Sequence, residues 1–355
     1  MDRRMETRAP KRVSPSTSAR QGSRSAMTAT ALQSSSPART APIDRSRALG
    51  RLKFSDNSFR LLTLGAAVLV LVLLLGVVVA LFIGAWPAFR EFGVGFLFSD
   101  AWSPPKDKFG AATAIYGTLV TSLIAMLIAV PVGLGVAVFL TELCWLPLRR
   151  PIGVAIELLA GIPSIIYGVW GVYYFRPAMQ SYIQPFLIKT LGNVPGIGFL
   201  FQGPPFGYGV LTAGLVLALM VVPFITAVSR DVFETVPTVL KEAAYGIGST
   251  TFEVVGNIVI PYTRVGVIGG AMLALGRALG ETMAVTFVIG NATKIQSSIL
   301  AQGTTISAMI ANQFADADPG LFTSSLLALG FILFVITFLV LAAARWMLSR
   351  LALKA

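Results

Sequence analysis

The sequence contains no histidine and one cysteine, Cys144. Without histidine there is no Ser-His-Asp triad, no imidazole acid or base, and no zinc site with histidine ligands. A lone cysteine excludes an intrachain disulfide. No Gly-x-x-x-x-Gly-Lys-Ser/Thr stretch occurs, so the chain has no P-loop, and no Gly-x-Gly-x-x-Gly occurs either. Any ATP used in its work is hydrolysed by another chain. Charge is scarce as well. Only 12% of the 355 residues are charged, against about 25% in a soluble domain. Hydrophobic residues make up 55% and the mean hydropathy is +0.76. These figures exclude an ordinary soluble enzyme and a disordered protein. They leave an integral membrane protein built from helices of about 20 residues each.

What charge there is lies mostly at one end. The formal net charge is +12. Residues 1–60 hold 13 Lys and Arg against four acids, Asp2, Glu6, Asp44 and Asp56, a local net of +9. The stretch is rich in Ser, Thr, Pro and Arg and reads as a disordered tail over residues 1–58. It lacks the aromatic interleaving of single-strand binders, so no nucleic-acid partner is expected. A cytoplasmic tail drawn to anionic membrane lipid fits its charge. It is too long and polar for a secretory signal, and no small-residue cleavage site follows the apolar run.

Six apolar stretches follow, at 61–85, 114–140, 152–175, 208–228, 265–289 and 321–344. Each is long enough for a hydrocarbon core of roughly 30 Å. The expected fold is therefore an all-α, multi-pass domain over residues 59–351. Basic residues near the span ends set the orientation. Outside the tail they favour N-terminus inside by only eight to six. The tail and the even span count put both termini in the cytoplasm. Trp86, Trp102, Tyr173 and Tyr174 read as interface anchors.

The loops differ by side. The outer ones, 86–113, 176–207 and 291–320, are rich in Gly, Pro and aromatics. The inner loop 229–264 is long and helical in pattern. Val236-Pro237 begins a helix at its first turn. Leu240, Ala243, Ala244 and Ile247 recur at spacings of three and four. Gly248 supplies a turn where that helix can end. Phe252, Val255 and Val259 resume the period, and Pro261 and Arg264 mark return to the membrane. Two physical readings fit this helix–turn–helix: docking against a partner, or an interfacial helix on the lipid surface.

The wording of the loop is Glu242-Ala243-Ala244, then Gly248, then Ile258-Val259-Ile260-Pro261. It resembles the EAA motif of ABC importer permeases, with Ile260 in place of the usual Leu. Further stretches resemble the phosphate-specific transport permeases. They are Glu157-Leu158-Leu159-Ala160-Gly161-Ile162-Pro163-Ser164, Val222-Pro223-Phe224-Ile225, and the run from Gly276-Arg277-Ala278-Leu279 through Gly280-Glu281-Thr282-Met283. The length of the first outer loop and the last wording are similar to the PstC type rather than the PstA type. The resemblance runs over about residues 59–351 and leaves the tail unexplained.

That resemblance implies a type I ABC importer (MetI-like) permease fold of six spans. It implies a non-catalytic permease subunit moving inorganic phosphate across the bacterial cytoplasmic (inner) membrane. The implied partners are a PstA-like second permease, two PstB-like ATPase subunits and an extracytoplasmic PstS-like phosphate-binding protein. ATP and Mg would be bound by the ATPase, with no cofactor and no metal in this chain. Glu242, Ala243, Ala244, Gly248 and Pro261 would form the coupling loop that docks on the ATPase. An importer of another oxyanion (molybdate, sulfate or phosphonate) and an ATP-independent carrier or channel are the alternatives.

The fifth stretch carries two charges at membrane depth, Arg277 and Glu281. Such charges are costly and face a cavity or each other. Their spacing places them on one helix face, where they can pair. A structural ion pair and a polar patch on the translocation path both fit. A guanidinium suits phosphate oxygens, and the resemblance adds weight to the pathway. Thr282 and Thr286 either line that path or bond back to their own helix. Ser164 follows Pro163, where the third span is either kinked or broken to expose backbone to the path. Glu157 reads as buried or near the inner interface, and Asn291 as a cap. Gly266 and Gly270, then Gly276 and Gly280, recur at four and allow close helix approach.

Overall fold

The computed structural model describes residues 45–352, with side chains over 56–350. The tail expected to be disordered lies outside the described residues up to 44. Its last part, from Arg45, is instead helical. The described chain divides into two units within the first helix, after Val70. In the first unit the Thr63 hydroxyl donates to the carbonyls of Phe59 and Arg60, both at 3.0 Å.

In chain order the helices are α1 (Arg45–Phe92), α2 (Gly95–Phe98), α3 (Ala112–Val138), α4 (Leu146–Ala160), α5 (Ser164–Trp170), α6 (Arg176–Ala178) and α7 (Gln184–Leu191). They continue with α8 (Val210–Glu234), α9 (Thr238–Gly246), α10 (Thr251–Val254), α11 (Ile260–Leu279), α12 (Met283–Ile289), α13 (Ile306–Gln313) and α14 (Leu321–Ala352). Among the described residues, five stretches are long and apolar enough to cross a membrane: Asp56–Phe92, Ala112–Leu143, Val210–Glu234, Thr251–Leu279 and Leu321–Arg350. A sixth span exists only as a pair, Leu146–Ala160 and Ser164–Leu191, bent by 87°.

Two of the six expected spans are therefore broken, the third at the proline where a kink or a break was expected and the fifth where neither was. In the third, α4 stops at Gly161, and Pro163 turns to ψ 136° before α5 starts. Proline has no N–H and disfavours helix in the residue before it, so the break follows from its chemistry. In the fifth, α11 ends at Leu279 and α12 begins at Met283. No proline marks that second break. The outer loop 176–207 contains α6 and α7, and the loop 291–320 contains α13.

Small residues set the helix contacts, as expected where no hydrophobic effect draws helices together. A Cβ on Gly133 of α3 would lie 2.8 Å from Ile225 Cγ2 of α8. One on Gly214 of α8 would lie 2.7 Å from Ile124 Cγ2 of α3. The two helices thus interlock reciprocally. Gly266 and Gly270 seat α11 on Val232 and Val228 of α8, each with a virtual Cβ 2.6 Å away. The central core lies among α3, α5, α8, α11 and α12, around Ala129, Leu217, Val221, Ala278 and Val285. A second cluster at the outer end joins Phe96, Phe109, Met309 and Leu326. Trp102, expected as an interface anchor, is partly buried and packs against this cluster. Its indole N–H donates to Gln313 Oε1 at 2.7 Å, and its ring meets Phe109 edge-on at 5.1 Å. Trp86, Tyr173 and Tyr174 are exposed, as the anchor reading expects.

Candidate functional site

The loop between α8 and α11 is shaped residue by residue. Pro237, at ψ 130°, turns the chain out of α8 and precedes the first turn of α9. It stands one place earlier than the sequence reading had it. At the other end Gly248 has φ +91°. The Gly248 N–H donates to Tyr245 O at 3.0 Å and the Ser249 N–H to Ala244 O at 3.1 Å. This pair of bonds is a Schellman closure, which favours glycine at the left-handed position. Thr250 then opens α10. Its backbone N–H donates to Glu253 Oε2 at 2.7 Å, and the Glu253 N–H donates back to Thr250 Oγ1 at 3.4 Å. That capping box was legible as Thr-x-x-Glu and was not singled out in the sequence. A π turn, Val255–Val259, leads into α11, whose first turn holds Pro261.

The loop has a buried back and an exposed front. Ala244 is 8% exposed and packs with Ala137, Phe233, Val236, Val254 and Val259. The expected contact role therefore does not fit Ala244, which seats the helix instead. Glu242, Ala243, Gly248 and Pro261 are exposed. Beside them stand Ile247 at 87% and Phe252 at 88% exposure. The loop thus leaves a carboxylate and two apolar side chains exposed. Lys241, on the inward side, donates to Glu142 Oε1 at 2.6 Å. Sequence reading missed this pair, whose members are 99 residues apart.

The second constellation forms where the broken spans meet. A Cβ on Gly168 of α5 would lie 2.7 Å from Phe287 Cδ2 and 3.1 Å from Ala284 Cα of α12. The two half-helices therefore pack backbone to backbone. Ser164, half-buried, is the first residue of α5. Glu281 and Thr282, also half-buried, lie in the break before α12. Arg277 is exposed in the last turn of α11.

The expected pairing of Arg277 with Glu281 is not found among the described residues. Because α11 stops between them, spacing by four no longer sets a common face. Glu281 Oε1 instead accepts from the Ala284 N–H at 3.3 Å, satisfying a free donor at the start of α12. The Tyr167 hydroxyl donates to Leu159 O at 2.9 Å and so ties α5 back to α4 across the other break. Nothing in the sequence pattern marked Tyr167 for that part. The Thr286 hydroxyl donates back to Thr282 O at 2.7 Å, the bond that the second of its two readings expects. The Asn291 amide donates to Thr286 O at 3.2 Å and closes α12, as a cap would. Glu157 is half in water and paired with Arg230 of α8 at 2.6 Å.

Comparison with known proteins matches residues 129–353 to the family described as binding-protein-dependent transport system inner membrane component. A phosphate transport system permease protein PstC from Mesorhizobium japonicum is 60% identical over 86% of this chain and 94% of its own length. The protein of the same description from Xylella fastidiosa is 56% identical over 84% and 92%. A probable one from Methanocaldococcus jannaschii is 37% identical over 79% and 89%. Among solved structures, a chain of a bacterial alginate ABC transporter with its alginate-bound periplasmic protein aligns at TM-score 0.57. It is 17% identical, over 84% of this chain and 97% of that one. At that identity the likeness shows the fold.

Proposed function

Because this chain belongs to the family of binding-protein-dependent transport system inner membrane components, we propose that it is the permease subunit of an ATP-driven importer of inorganic phosphate. The observation that carries the substrate is the 60% identity to a phosphate transport permease, spanning 94% of that relative. The membrane is the bacterial cytoplasmic membrane. The partners are a PstA-like second permease, two PstB-like ATPases and a PstS-like binding protein outside. This chain makes and breaks no bonds; ATP and Mg are held by the ATPases.

In this reading the two constellations serve alternating access. ATP closes the ATPase dimer and draws the coupling loops together. Glu242, Ala243 and the apolar front of α9 and α10 supply the docking face, and Gly248 keeps its turn compact. The bundles then open outward to receive phosphate from the binding protein. Hydrolysis resets them inward. At the breaks, Arg277 supplies a fork of donors for phosphate oxygens. Glu281 and Thr282 sit beside the unwound backbone, and Ser164 adds a hydroxyl on the facing half-helix. Broken helices that line a cavity are a known way to present backbone to an ion at membrane depth. The carboxylate of Glu281 can accept from a protonated phosphate oxygen and limits how tightly a dianion is held.

The test is radiolabelled phosphate uptake in cells lacking their own high-affinity system, supplied with this chain and its three partners. Arg277→Gln is expected to lower uptake by about a hundredfold, the loss of a charge-assisted contact of roughly 3 kcal/mol, while the complex still assembles. Sulfate and molybdate are expected not to compete. Full uptake by Arg277→Gln removes that residue from the pathway. Competition by sulfate or molybdate moves the substrate to another oxyanion.

A further inference from the structure

The pair between Glu142 and Lys241 has no part in the docking face or at the breaks. Glu142 lies in a π turn, Phe139–Leu143, that continues α3 at its inner end. Lys241 lies on the inward side of α9. Their side chains are 6% and 18% exposed, and Nζ stands 2.6 Å from Oε1. The bond is thus charge-assisted and largely out of water, where separating the charges is expensive. Around it, Ala244 of α9 and Ala137 of α3 belong to one apolar cluster that Phe233, Val236, Val254 and Val259 complete. Apolar surfaces of that kind can slide by small steps, as packed helices do in shear motions. A short buried ion pair cannot slide without parting.

What lies behind Glu142 gives the tie a consequence. α3 and α8 interlock through Gly133 with Ile225 and Gly214 with Ile124. The Thr226 hydroxyl of α8 also donates to Gly133 O at 3.3 Å. The two helices form one stiff pair running from the loop to the core around the breaks. By contrast, α5 and α12 are short pieces set off by the breaks at residues 161–163 and 280–282. Resting on the coupling role assigned above, we propose that Glu142 is a positioning residue. Through Lys241 it fixes the coupling helix to the α3–α8 pair, so that displacement of α9 by the ATPase moves α3 and α8 as one body against the short pieces α5 and α12.

The experiment uses the assembled complex in proteoliposomes and reads phosphate moved per ATP hydrolysed. Glu142→Gln and Lys241→Met are expected to lower that ratio about tenfold, within the usual range of coupling free energies, while ATP hydrolysis continues. The charge exchange, Glu142→Lys with Lys241→Glu, is expected to recover most of it. A double apolar variant, Glu142→Leu with Lys241→Met, removes the buried charges together and so guards against misfolding. It is expected to assemble and to remain uncoupled, which a purely structural role would not produce. A second readout is independent of substrate. With Cys144→Ser, spin labels at Val239→Cys on α9 and Leu127→Cys on α3, both exposed positions, report one unchanged distance with and without trapped ATP. Adding Glu142→Gln is expected to make that distance shift or broaden when ATP binds. A wild-type distance that changes with ATP overturns the proposal. So does an apolar double variant with the wild-type transport ratio. If the wild-type complex moves no phosphate, the substrate assignment falls while the spin-label distances still judge the tie.

Discussion

Single residues decide where this chain can bend and where it can be touched. Gly248 holds φ +91° with open space around its missing Cβ. Substitution there is opposed by backbone strain and not by a clash. Gly248→Val is expected to cost about 1–2 kcal/mol locally and to open the turn between α9 and α10. Gly248→Asn is expected to be milder, since asparagine tolerates the left-handed region. The check is the amount of ATPase subunit that co-purifies with each variant, which should fall for Val and hold for Asn. Gly168 presents the opposite case. Its virtual Cβ falls 2.7 Å from Phe287 Cδ2 and 3.2 Å from Met283 O. Gly168→Leu is expected to force α5 from α12 and abolish phosphate uptake while leaving ATPase co-purification unchanged. Loss of co-purification in that variant would show that the breaks and the docking loop are not separable.

At the scale of elements, the legible features were those with a local chemical signature. The turn at Gly248 could be read because a left-handed position favours glycine. A close helix approach could be read from Gly266 and Gly270, and the structure supplies α8 as the neighbour. The break at Pro163 was visible as one of two readings, since a missing N–H permits either a kink or a stop. The break after Leu279 was not visible. Gly280-Glu281-Thr282 stands inside a long apolar run, and hydropathy averages over it. The spacing of Arg277 and Glu281 then suggested a shared face that exists only if the helix continues. The tie between Glu142 and Lys241 was beyond reach for a different reason. It depends on tertiary packing that brings the ends of α3 and α9 together, and no local rule pairs residues so far apart. Thr250 offers a prediction at this scale. Thr250→Ala removes a cap that is typically worth about 1 kcal/mol. It is expected to fray α10 and lower the melting temperature of the purified complex slightly, with uptake retained. An unchanged melting temperature would mean that packing of Val254 and Val259 alone fixes that end of the loop.

For the whole molecule, sequence and structure agree on a helical bundle with a long helical loop between α8 and α11, and the structure adds two interrupted spans to its core. The arrangement separates two tasks. In the proposed function the exposed side chains of Glu242, Ala243, Ile247 and Phe252 receive force. The ion is met beside the breaks, by Arg277, Glu281, Thr282 and Ser164. Between them stands the interlocked pair α3 and α8. The central claim is that this chain turns ATP hydrolysis by its partners into movement of phosphate. The most direct measurement is phosphate accumulation by proteoliposomes containing the four-component complex, with ATP present or absent. We predict accumulation that requires both ATP and the binding protein and is indifferent to excess sulfate or molybdate. Phosphate entering at the same rate without ATP would contradict the account, because a permease coupled through its inner loop should stay closed when that loop is not driven.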